Sequence, residues 1–327
     1  MTLASKLDVK NKEKNLGDYA YAAIQKHFQK ILKWETEVKK DKDPEALHQM
    51  RVGMRRLRTA VTRFQPAVNL PKIINDKNIS KIARRLGNLR DLDVLKETLA
   101  NLEQQILPKK ERQSLQAAFN ALEKQRKNAL LEVRATLKDE LYKSIKQNLQ
   151  DWLEQPDFQP LASLSMQEVL PDLLLPEVSS FLLHPGWLVG IEVEHAGIIV
   201  LQEWEAEKIE QELAAGNARV LHSLRKQAKR LRYQMELFSQ LYGEGYTTYV
   251  AEVKKIQEIL GSIQDSTVLT EWLVDVFKCK LETEFPTLAT FLVQNRYQMW
   301  KQWQPLQKRY LQAKTRKELH LVVLNPL

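Results

Sequence analysis

The sequence predicts an all-α protein built from two copies of one helical plan, and three observations carry that expectation. Gly 10 and Pro 12 are few for 327 residues, while Leu, Lys, Glu, Gln and Ala abound, so long helices are favoured over tight hairpins. Apolar residues recur at helical spacing through most of the chain. Finally, His48-x-x-Arg51-x-x-x-Arg55-Arg56-Leu57-Arg58 returns 174 positions later as His222-x-x-Arg225-x-x-x-Lys229-Arg230-Leu231-Arg232. The same offset, without a gap, pairs Lys81-Ile82 with Lys255-Ile256, Leu86-Gly87 with Leu260-Gly261, and Asp91 with Asp265. From Leu47 to Leu99 about 16 of 53 positions are identical, against roughly three for unrelated sequences. A unit of well over a hundred residues is duplicated, and two packed bundles of about four helices each are the economical architecture.

After a polar, basic tail (residues 1–15), the first half occupies residues 16–155. A helix is expected from about Leu16 to Lys40, then one from about Pro44 to Phe64 with Asp43 as N-cap and Pro44 in the first turn. A third runs from about Asp76 to Ile106, and a fourth from about Lys109 to Leu153, beyond Leu107-Pro108. Five prolines (156, 160, 171, 176, 185) mark residues 156–185 as a connector. The second half, 186–318, is read as helices at about Ile198–Leu213, Ala218–Tyr242, Thr247–Lys280 and Pro286–Glu318, broken at Gly216-Asn217 and at Gly243 and Gly245. An apolar tail, 319–327, completes the chain.

A net charge of +9 points to a polyanionic partner, although 41 acidic residues offset most of the 50 basic ones, so the placement of charge decides. The single Cys279 permits no internal disulfide, and the N-terminus has no apolar signal segment. The most apolar window, Phe181 to Leu201, carries His184, Pro185, Glu192, Glu194 and His195, which argues against a membrane span. A cytoplasmic protein is the expectation, and the sequence assigns no oligomeric state.

At about 100° per residue, His48, Arg51, Arg55 and Arg58 fall within an arc of roughly 80°, beside an apolar arc of Met50, Met54, Leu57, Val61 and Phe64. His222, Arg225, Lys229 and Arg232 repeat the stripe. Charge runs on helices usually just keep a helix wet, but no carboxylate lies between His48 and Arg63 to relieve the repulsion, and the arrangement recurs. Arginine forks and lysine point charges one turn apart suit successive phosphates of a linear polyanion. Lys81, Arg84 and Lys255 are placed to extend the walls, with Glu258 standing where the first copy has Arg84. Protonation of His48 and His222 would strengthen anion binding below about pH 6.5. Gly87 and Gly261 are read as sites of close backbone packing, Asp91 and Asp265 as anchors for a basic neighbour, and Arg56 and Arg230 as surface ion-pair partners.

The run from His48 to Arg58, followed by Leu86-Gly87-Asn88-Leu89-Arg90-Asp91, resembles the CHAD family, the conserved-histidine α-helical domain, and His222 to Tyr233 resembles its C-terminal motif. The resemblance implies two pseudo-symmetric four-helix bundles with a basic central groove that binds inorganic polyphosphate, association with polyphosphate granules, and contacts at His48, Arg51, Arg55, Arg58, His222, Arg225, Lys229 and Arg232. Many members also carry a triphosphate-tunnel domain with a Glu-x-Glu-x-Lys signature. Glu192-Val193-Glu194-His195-Ala196 lacks that lysine and is read as part of a helix, so a stand-alone domain is expected. No Walker-type loop, zinc pair or nucleophile elbow occurs, so neither catalysis nor a cofactor or metal is expected. A nucleic acid in the same groove is the alternative partner, though no aromatic is seen interleaved with either stripe.

Overall fold

A computed structural model describes residues 15–105, 107–193, 199–201 and 203–327; the tail expected over residues 1–15 lies almost wholly outside them. The first helices follow their sequence signals. Helix α1 (Leu16–Lys40) opens with a capping box between Asn15 and Asp18, and α2 (Pro44–Arg63) with the Asp43 carboxylate accepting from the Glu45 amide. Helix α3 spans Asp76–Gln105.

The single helix expected over 109–153 is two, α4 (Lys109–Thr136) and α5 (Glu140–Glu154). Asp139 divides them by capping α5 through the Leu141 amide, 2.8 Å away, while Arg85 of α3 holds its other oxygen at 3.2 Å. The proline-rich connector contains a full helix, α6 (Met166–Leu182), with Pro171 and Pro176 inside it. Met166, Leu170, Leu174, Val178 and Phe181 bury one stripe completely, which outweighs the backbone bonds the two prolines forgo on the outer side.

The helix expected from Ile198 begins only at Ala206. In its place, β1 (Ile191–Val193) pairs antiparallel with β2 (Ile199–Leu201), Ile191 opposite Leu201, as β-branched residues favour. Glu192 and Val193 of the Glu-x-Glu string are therefore strand residues; Glu194 to Ala196 lie outside the described residues. Helix α7 (Ala206–Glu212) meets α8 (Ala218–Phe238) through one wide turn in which Gly216 takes a φ of 111°, the break read at Gly216-Asn217. Helix α9 (Glu244–Phe277), a single turn α10 (Leu281–Glu284) and α11 (Pro286–Leu311) follow. The chain turns at Gln312 into α12 (Ala313–Leu324), so the apolar tail is mostly helix, anchored by buried Leu319 and Val323.

Two buried cores form, and each draws on both halves. The larger gathers α1, α2, α5 and α6 with α8, α9, α11 and α12. The smaller joins the far ends of α3 and α4, through Leu99, Leu115 and Leu122, to Leu269, Leu273 and Phe285. There Glu111 of α4 accepts from the Thr287 and Leu288 amides and caps α11 across the halves. Within the larger core α2 and α8 are in contact. Phe64 packs edge-on against Phe238, centroids 5.8 Å apart, and these two residues are themselves 174 positions apart. Buried Glu177 of α6 ties the pair, reaching Gln227 at 2.9 Å, Arg63 at 3.5 Å and Arg230 at 3.8 Å. Among the described residues no helix is long and apolar enough to cross a membrane.

Candidate anion-binding site

The helical repeat sets the basic residues of α2 and α8 one turn apart, and the Phe64–Phe238 contact joins the C-terminal ends of the two helices. Arg51 and Arg55 of α2 come within electrostatic range of Lys229 on α8, one turn beyond Arg225. Burial, then the Arg55, Arg225 and Arg51 charges, lowers the Lys229 ammonium to a pKa of about 8, with Asp91 opposing. Burial likewise lowers Arg51 and Arg55, and Arg51 and Arg232 add to the repulsion on Arg55. The sequence kept these cations free of carboxylates along their own helices, and the fold then concentrates them.

Each copy seats its central arginine in the same way. A β-carbon on Gly87 would stand 2.5 Å from Arg51 Nη1, and one on Gly261 would stand 3.1 Å from Arg225 Nε. The glycines thus make room for a guanidinium lying on the helix backbone, where the sequence suggested packing of backbone on backbone. One turn on, Asp91 lies 3.6 Å from Arg51 and Asp265 lies 3.5 Å from Arg225. Four buried nitrogens of this cluster, Arg51 Nη1, Arg55 Nε, Arg225 Nε and His222 Nδ1, have no hydrogen-bond partner among the described residues. The three arginine nitrogens are obligate donors, costly to leave unmade at about 1–3 kcal/mol each, and an anion is the natural acceptor. A cavity of about 410 Å³ between α3, α9 and α11 opens beside Arg225 and Asp265.

The two histidines lie at the start of the stripes, and burial lowers both pKa values. Arg90, Arg55 and Arg51 reinforce the effect on His48 against Glu45; Lys226, Arg225 and Lys229 do so on His222 against Asp265. Both rings are neutral near pH 7 in the free protein, and the protonation expected at about pH 6.5 is displaced to lower pH.

The other expected wall residues are either ion-paired or exposed. Arg58 is gripped by Asp76 through two bonds of 2.5 and 3.1 Å. Arg232 lies 3.3 Å from Glu236, whose other oxygen is 3.6 Å from Arg56. Lys81 and Arg84 on α3 and Lys255 on α9 are exposed, and Glu258 is engaged by Lys254 at 3.7 Å. Arg56 and Arg230 make the ion pairs read for them, with Glu236 and Glu177.

One aromatic is interleaved after all. The Tyr233 ring lies 4.6 Å from both the Arg55 and the Arg232 guanidinium. Its signal was the spacing, since Arg225, Lys229 and Tyr233 follow one another at four-residue steps, while the first copy has Thr59 at the equivalent place. Tyr233 is buried and serves as a partner for the two cations, not as an open stacking platform. Among the described residues no group of three or more His, Cys, Asp or Glu side chains is placed to hold a metal ion.

A family model described as the CHAD domain matches residues 22–274. Among solved structures, the chain is similar to the crystal structure of the CHAD domain from the plant Ricinus communis, at 22% identity and a TM-score of 0.58, with 99% of each chain covered. It is also similar to PptA from Streptomyces chartreusis, at 11% identity and a TM-score of 0.61, covering 90% of this chain and 99% of that one. At such identities these likenesses carry the fold alone. No curated protein matches the chain.

Proposed function

The chain belongs to the CHAD domain family, and from that premise we propose that it binds inorganic polyphosphate, without catalysis, in the trough between α2 and α8. The observation that carries this reading is the convergence of Arg51, Arg55, Arg225 and Lys229, with buried donors left without acceptors. Two helices supply the cations, so a ligand presenting charge along its length satisfies more of them than one compact anion does. His48 and His222 extend the row, and a bound anion would draw protons onto both rings. We take residues 16–155 and 186–318 as the two copies, each contributing one cationic helix, and place the protein on polyphosphate granules.

Hydrolysis or synthesis of a phosphoanhydride needs a base, a nucleophile or a metal aimed at phosphorus. The carboxylates nearest the trough, Asp91 and Asp265, instead face arginines. A nucleic acid would gain from stacking, yet Tyr233 is enclosed between guanidiniums. Titration with polyphosphates of increasing length tests the reading: affinity should rise with length until the chain spans the trough, then level. Affinity independent of length, or failure of long-chain polyphosphate to displace bound DNA or RNA at matched phosphate concentration, would refute it.

A further inference from the structure

Two kinds of arginine–carboxylate pair coexist in this protein, and they differ in a way that assigns them different work. Pairs that hold the fold are short and enclosed. Arg126 binds Asp41 at 2.7 and 2.8 Å and Asp93 at 2.7 Å, and Arg296 binds Glu210 twice at 2.6 Å. The trough pairs, Arg51–Asp91 and Arg225–Asp265, are 3.5–3.6 Å apart and make no hydrogen bond. Their acids are 76% and 64% exposed, while each arginine is only 24% exposed and keeps an unpartnered buried nitrogen. The aspartates are not what positions these arginines, because Gly87 and Gly261 already seat them on the backbone.

We infer that Asp91 and Asp265 are internal competitors: tethered carboxylates that stand beside the phosphate-binding guanidiniums and must be displaced, one for each arginine engaged, when a polyanion binds. The inference rests on the polyphosphate reading of the trough and adds what sets its affinity. A loose, solvent-exposed ion pair is worth little, so each carboxylate can be swung aside at small cost while still neutralising its arginine against dilute small anions. The two occupy one electrostatic neighbourhood: Asp91 is among the charges acting on both Asp265 and Lys229. A ligand long enough to engage both arginines displaces both carboxylates, and a short one displaces one.

The test is calorimetric titration of pyrophosphate and of long-chain polyphosphate into wild type, D91N, D265N and the double variant, with exposed Asp172 on α6 changed to Asn as a control for net charge. Each single variant should gain roughly two- to fivefold in affinity for either probe. In the double variant the gains should multiply for the long chain and not for pyrophosphate, and D172N should bind as wild type. A fall in affinity in D91N or D265N would assign the aspartates a positioning role and overturn the inference, as would an equal gain in D172N. Circular dichroism verifies folding, and D91A and D265A replace any variant that fails it. Long chains binding all five proteins alike would sink the competitor and leave the polyphosphate reading standing. Variants that gain pyrophosphate affinity while no protein binds long chains would do the reverse.

Discussion

Replacing Gly87 with alanine separates folding from binding. Glycine inside a helix costs about 1 kcal/mol relative to alanine, so the substitution in α3 should on propensity alone stabilise the protein by up to that amount. The added β-carbon would stand 2.5 Å from Arg51 Nη1, well inside contact distance, and the obstructed atom is the far end of a flexible side chain. The guanidinium therefore moves off the backbone at little cost to the fold, giving up only the loose pair with Asp91. What is lost is the seat from which Arg51 meets the ligand. One charge-assisted contact is worth about 1.5–3 kcal/mol, and 1.4 kcal/mol is tenfold, so polyphosphate affinity should fall roughly 10- to 100-fold. Calorimetric titration gives the affinity and thermal denaturation gives the stability. Gly261→Ala makes a graded companion, since its β-carbon meets Arg225 Nε at the more forgiving 3.1 Å, and its effect should be smaller. A G87A protein that is stable and binds like wild type would refute the seating role of the glycine and, with it, the place of Arg51 in the site.

Three further outcomes are expected. Lys229 titrates near pH 8 when the trough is empty; a bound polyanion raises that value, so binding takes up a proton and affinity declines as pH rises through 8, a dependence that Lys229→Met should abolish and that titration in buffers of different ionisation enthalpy reads out. Arg58→Ala should weaken polyphosphate binding much less than Arg55→Ala, because Arg58 is already committed to Asp76 whereas Arg55 Nε has no acceptor; equal losses would return Arg58 to the site. Phe238→Ala removes a fully buried ring that spans α2 and α8, and should cost about 3–5 kcal/mol in chemical denaturation while also lowering affinity, since the stripes lose their alignment.

The duplication made a good deal readable in advance. Helical spacing and an uninterrupted cationic stripe placed α2 and α8 and marked out the basic stripe on each, because all of that information lies within one helix at a time. What was not readable came from elsewhere in the chain. Asp76, Asp91, Asp265 and Glu236 reach the arginines across helices or, for Glu236, from one turn along α8, and no local pattern distinguishes Arg58, which is chelated, from Arg55, which is not. Proline content hid α6, whose buried stripe of five residues decided its conformation, and at the start of the helix expected from Ile198 the strand pairing of Ile191–Val193 with Ile199–Leu201 prevails. The glycines show the limit most clearly: their recurrence was visible, but only coordinates place a guanidinium upon them.

The salt dependence of long-chain polyphosphate binding tests the central claim most directly, because it counts the cations that meet phosphate. With about 0.7 counterions released per contact on a single-stranded polyanion, four converging cations give a slope of log affinity against log salt on the order of −3. Alanine at Arg51, Arg55, Arg225 or Lys229 should each flatten that slope by about 0.7, and the quadruple variant should bring it close to zero. A quadruple variant that keeps the wild-type slope would place the polyanion somewhere other than between α2 and α8.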